Sequence, residues 1–222
     1  MWDGANLTSV QDTTQPEIPV TRVVRRVARI VPASIRGELV RKSLHMLIAL
    51  IPSIAAAAGV EIALVLLSFG TLVFAGSEYL RLHGHRVFLI TRLTLVASRQ
   101  RDEGHFVLGP VTLAVGAMLA LLLYPATAAA IAIYALAFGD SVASLVGRAF
   151  GRNRLFAGKT LEGSLACFVA VWMTAMTLTG RMGASLAIAG VATALESLPS
   201  DDLDNIILPV GVGLFSAVIL PL

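Results

Sequence analysis

The chain has 222 residues, 56% of them hydrophobic and only 14% charged, with a mean hydropathy of +0.81. A soluble domain carries about a quarter charged residues, so the composition excludes an ordinary water-soluble enzyme and makes lipid the main solvent. The formal net charge of +3 reports membrane topology rather than a nucleic-acid partner.

Residues 1–17 are polar and acidic, with no basic start followed by an apolar run. They read as a disordered leader and not as a secretory signal. Residues 18–37 repeat apolar and arginine positions at helical spacing, the pattern of an amphipathic helix lying on anionic headgroups. Residues 38–222 form the polytopic domain. Its apolar runs cover 44–59, 62–80, 105–124, 126–146, 164–179, 184–198 and 206–222. Several are shorter than the roughly 20 residues of an upright span, yet Ala- and Gly-rich helices can pack closely inside a bundle. The expected fold is therefore an all-α integral membrane protein, a bundle of about seven transmembrane helices. Residues 81–104, too charged to span and too apolar for a free loop, are expected on the membrane surface.

Seven spans place 16 of the 17 Lys and Arg residues on one side, with Arg181 alone opposite. Positive loops stay in the cytoplasm, so the N-terminus is expected inside. The protein is expected as a multi-pass component of a membrane such as the prokaryotic cytoplasmic membrane. Cys167 is the single cysteine, which leaves no intrachain disulfide and no Cys-based metal site.

The same topology gathers the polar residues. Glu38, Arg41, Lys42, His45, Glu78, Asp140, Glu196, Asp201, Asp202, Asp204 and Asn205 all fall at the cytoplasmic membrane face, and only Glu61 among the acids faces away. A carboxylate inside a span is costly and a functional candidate by default, so Asp140 needs a cationic or metal partner. A salt bridge to Arg148 or Lys159 that merely locks the bundle is the plainer alternative. Loop 147–163 presents Arg148, Arg152, Arg154 and Lys159 among Gly151 and Gly158, a set suited to phosphate. Its Gly-Lys-Thr is no P-loop, because the glycines before it are separated by six residues and no strand precedes them. Lys159 and Thr160 sit instead at an expected helix start, where backbone amides favour anions. Carboxylates beside such a loop suit a metal–triphosphate, and access from the bilayer makes a membrane alcohol the acceptor.

At these residues the chain resembles the polyprenol kinase family, which includes dolichol kinase, phytol kinase and the CTP-dependent diacylglycerol kinase. Four blocks are similar in order: "ELVRKSLHM" (38–46), "RQRDEGHFVLGPV" (99–111), "GDSVASLVGRAFGRNRLFAGKTLEGS" (139–164) and "ESLPSDDLDNIILP" (196–209). The resemblance implies CTP as phosphate donor, Mg²⁺ or another divalent cation, and a long-chain lipid alcohol as acceptor. It implies catalytic roles for Asp140, Lys159, Glu162 and Glu196. Nucleotide contacts would come from Arg148, Gly151, Arg152, Arg154, Gly158, Lys159, Thr160, Gly163 and Ser164. Metal contacts would come from Asp140, Glu196, Asp204 and Asn205, with Arg41, Lys42, His45, Glu78 and Glu103 in support. The central block also resembles phosphatidate cytidylyltransferase, although Ala157-Gly158 stands where those enzymes carry Ser-Pro. An ion-coupled transporter relaying through Asp140 and Glu196 is a third reading from another class. Membrane lipids are the expected surroundings, and a homo-oligomer is compatible with the pattern.

Overall fold

A computed structural model describes residues 33–84, 105–155, 158–198 and 203–220. The expected leader, residues 18–32 of the expected interfacial helix, and residues 85–104 with Glu103 lie outside these. Among the described residues every regular element is helical, apart from one antiparallel bridge between Arg154 and Thr160.

The chain runs back and forth between two ends of a bundle. Helix α1 (Ala33–Met46) passes through a 3-10 turn (Leu47–Leu50) into α2 (Ile51–Ala58). Pro52 dictates that turn: it has no amide to give the carbonyl of Ile48, four residues back. The amide of Ile51 takes that carbonyl instead, an i to i−3 bond. Gly59 reverses the chain into α3 (Val60–Leu82), which returns to the starting end. Helix α4 (Gly109–Leu123) descends, and Tyr124–Pro125 turn the chain into α5 (Ala126–Tyr134). Residues Ala135–Asp140 are wound as a π-helix and α6 (Ser141–Phe150) completes the ascent. After the loop, α7 (Leu161–Thr179) descends, α8 (Met182–Glu196) ascends and α9 (Asp204–Ile219) descends again. The α7–α8 reversal needs a left-handed residue, and Gly180 supplies it at φ 65°, where a Cβ would be strained.

Four of these columns are long and apolar enough to cross a membrane: Glu38–Ala58, Val60–Leu82, Ala126–Phe150 and Leu161–Thr179. Helices α4, α8 and α9 have 15, 15 and 16 residues. At 1.5 Å per residue they reach only about 22–24 Å, short of a hydrocarbon core of about 30 Å. The seven apolar runs are thus seven helical columns, of which four have full membrane length.

The α5–π–α6 column is the most deeply buried of the four long ones. On one side Ile131 and Leu136 pack with Val171 of α7, Ile188 of α8 and Leu208 and Val212 of α9. On the other, Ile133 and Ala137 pack with Ala114, Ala117 and Ala120 of α4 and with Ala63 and Leu67 of α3. Helix α3 leaves Val65, Phe69 and Leu72 outward, an apolar surface that lipid solvates without penalty. Small residues at the contacts, such as Ala63, Ala114, Ala117, Ala120 and Ala137, let the columns approach closely. Pro209, inside α9, frees the carbonyl of Asn205. Gly116 of α4 lies against that oxygen, where a Cβ would overlap it. The side-chain nitrogen of Asn205 donates to the Gly109 carbonyl at 3.2 Å and to Thr112 Oγ1 at 3.0 Å, tying the start of α9 to the start of α4.

Candidate functional site

One end of the bundle collects the charged residues: the entry of α1, the C-termini of α3, α6 and α8, and the N-termini of α4, α7 and α9. Glu38, Arg41, Lys42 and His45 recur at three- and four-residue spacing, which puts them on one face of α1. That face meets the central column. Lys42 donates to Oδ2 of Asp140, and both side chains are almost fully buried. His45 Nε2 lies 3.3 Å from the same oxygen without the alignment of a hydrogen bond. Glu38, also buried, takes Arg41 Nη2 at 2.5 Å and Arg148 Nη2 at 3.0 Å. The partner of Asp140 is therefore neither Arg148 nor Lys159 but Lys42, 98 positions away in sequence.

Lys159 reaches across to Glu196 at the end of α8, with Nζ 2.5 Å from Oε1. The other oxygen, Glu196 Oε2, is buried and has no partner. Cys167, in the second turn of α7, is fully buried. Glu38, Asp140 and Glu196 thus oppose Arg41, Lys42, Arg148 and Lys159, three acids against four bases. The cluster is close to neutral by itself, which is how it survives at a bundle end where unpaired charge is costly.

The loop between α6 and α7 is a folded platform. Leu155 N–H donates to the Lys159 carbonyl at 2.8 Å and Leu161 N–H to the Asn153 carbonyl at 2.9 Å. Gly158 turns the chain with φ 75°. Thr160 caps α7, its hydroxyl oxygen accepting from Gly163 N–H at 3.2 Å. Helices α6 and α7 come close enough that a Cβ on Gly147 would lie 2.8 Å from Thr160 Oγ1, and one on Gly163 would lie 2.7 Å from the Ala143 carbonyl. Gly151 is closed in the same way by the Thr160 methyl, at 2.6 Å. The glycines of this block therefore seat the loop on the helix pair. Ser164 is buried beside Ser197, with the two hydroxyls 3.4 Å apart. Arg152 and Arg154 are exposed on the loop.

Two further candidates have their carboxylates engaged by neighbouring groups. Glu162 holds the loop, accepting from Asn153 Nδ2 at 3.1 Å and from its amide at 3.2 Å. Glu78 is fully buried and both its oxygens are engaged. Oε1 takes Arg81 Nη2 at 2.7 Å and Val107 N–H at 3.0 Å, while Oε2 takes Arg81 Nε at 2.8 Å. It closes the end of α3 onto the entry of α4. Asn153 and the pairing of Lys42 were missed in the sequence. The signal for Lys42 was present, since Lys42 and His45 sit three residues apart on one face of a helix that enters an apolar run.

Among the described residues no three of His, Cys, Asp and Glu come together as a metal cage. Mg²⁺ at phosphoryl-transfer sites takes only one or two protein carboxylates and completes its shell with phosphate and water oxygens. Asp140 and Glu196 are hard oxygen donors of that kind, and Oε2 of Glu196 is buried without a hydrogen-bond partner. The residues fit such an ion. No family model, no curated protein and no solved structure matches the chain.

Proposed function

We propose that this protein is a membrane-embedded lipid-alcohol kinase, transferring the γ-phosphate of CTP or another nucleoside triphosphate to a long-chain isoprenoid alcohol. The observation that carries the reading is convergence. Three of the four blocks that resemble polyprenol kinases, 38–46, 139–164 and 196–209, are far apart in sequence. They meet in one charge cluster through Lys42–Asp140, Arg148–Glu38 and Lys159–Glu196. A set of topology-fixing arginines would have no reason to pair so specifically with buried acids.

In this reading the charged end faces the cytoplasm, all seven columns cross the bilayer, and the short α4, α8 and α9 leave the site recessed into the membrane face. Arg148, Arg152, Arg154 and Lys159 hold the phosphates from the loop side, with the start of α7 adding backbone amides. Asp140 and Glu196 hold Mg²⁺, which would neutralise charge developing on the transferred phosphoryl group. The acceptor hydroxyl reaches the site from the lipid side, its chain remaining among the apolar faces of the helices.

The test is direct. Purified protein in detergent is incubated with γ-labelled CTP and phytol, geranylgeraniol, long polyprenols or diacylglycerol. A labelled lipid with release of CDP is the expected result, abolished in Lys159→Ala. Pyrophosphate with a CDP-lipid would instead mark a cytidylyltransferase, and no nucleotide turnover with any acceptor refutes the kinase.

A further inference from the structure

We infer that Lys42 and Lys159 are built-in counterions that must leave Asp140 and Glu196 before a divalent cation can bind, so that metal and nucleotide load together. The inference rests on the kinase reading above and adds an order of events to it.

Asp140 and Glu196, the two carboxylates assigned to the metal, are each already held by an ammonium group. Lys42 sits on Oδ2 of Asp140 with both side chains nearly sealed from solvent, and Lys159 sits on Oε1 of Glu196. A cation entering this end alone would meet two fixed positive charges at short range. Repulsion in a poorly solvated site is strong. The metal therefore binds weakly while both lysines stay.

Phosphate changes the balance, because it gives each ammonium a new acceptor. Lys159 is suited to move: its side chain is 26% exposed, against 4% for Lys42, and it leaves the folded loop platform that carries Arg152 and Arg154. As it swings to phosphate, both oxygens of Glu196 become available, including the buried Oε2 that has no partner in the resting arrangement. Charge is conserved in the exchange. Each lysine trades a carboxylate for a phosphate, and each carboxylate trades a lysine for the metal. Coupling of this kind is reciprocal: whatever factor the nucleotide adds to metal affinity, the metal adds to nucleotide affinity.

The experiment measures binding, not turnover. Mn²⁺ is titrated by its electron paramagnetic resonance signal into purified protein, alone and with the non-hydrolysable β,γ-methylene analogue of CTP. For the wild type, the analogue should bind at least about tenfold more tightly when Mn²⁺ is present, within the usual range of site coupling. Lys159→Met and Lys42→Met should each bind Mn²⁺ alone about tenfold more tightly than wild type, since one repelling charge is gone. Lys159→Met keeps the test sharp should Lys42→Met fail to fold. If the analogue binds wild type but the variants hold Mn²⁺ no more tightly, the counterion assignment is overturned and the kinase reading stands. If the analogue binds no form of the protein, with or without Mn²⁺, both fall.

Discussion

Removing the charge of Asp140 tests whether its pairing with Lys42 holds the bundle. Asp140→Asn keeps the volume but leaves the ammonium of Lys42 without its partner, in a place where both side chains are 5% exposed or less. Breaking a buried pair from one side costs about 3–5 kcal/mol, most of it from the stranded charge. For a chain of this size that lowers the unfolding midpoint by on the order of 10 °C. Lys42→Met should cost a similar amount by stranding the carboxylate. The double variant, with no charge left to strand, should recover at least half of the summed loss, a non-additivity characteristic of contacting groups. Cys167 provides the assay, because its thiol is fully buried and reacts with a fluorogenic maleimide only as the helices separate. Single variants that melt like wild type, or losses that simply add in the double variant, would refute the pairing as a source of stability.

Gly116→Ala should destabilise by about 1–3 kcal/mol, because its new methyl overlaps the Asn205 carbonyl. Gly70→Ala, with nothing within 4 Å, should be neutral or slightly stabilising, and thermal melts of the two side by side check the contrast. Thr160→Ala removes the cap of α7 and should cost about 1 kcal/mol, read in the same thiol assay. Asn153→Cys on a Cys167→Ser background should resist an impermeant thiol reagent in intact cells and react after permeabilisation. Ready labelling from outside would reverse the orientation.

Much of the architecture was legible because it follows from short-range patterns. The apolar runs became helices, and the breaks between them, at 59, 125 and 180 among others, became reversals. Counting those reversals is enough to gather the acids at one end. The pairings were not legible. The plainer alternative for Asp140 was a bridge to Arg148 or Lys159, its neighbours in the chain, but its partner comes from the first column through tertiary packing. No local rule reports which faces of two remote helices will touch. The bond between Glu162 and Asn153 was not legible either; it forms because a carboxylate in the first turn of α7 lies over the loop that precedes it. The π-helix at Ala135–Asp140 also has no signature in the apolar pattern. The shortness of several columns was legible too, since the run 184–198 is as long as α8 and 206–222 only one residue longer than α9.

The distance in sequence between Lys42 and Asp140 also bears on how the protein is made. A ribosome adding about 5–20 residues per second needs roughly 5–20 seconds to travel the 98 positions that separate them. For that interval the first column has Glu38, Arg41, Lys42 and His45 at its entry, and Lys42 has Glu38 within its own helix but not Asp140. Its charged end has to wait in the headgroup layer, while its apolar remainder enters the membrane. Only when the central column emerges can the nascent first helix settle to its final depth. Assembly of this bundle is therefore a two-stage event, with the ion pair acting as the latch that ends the first stage.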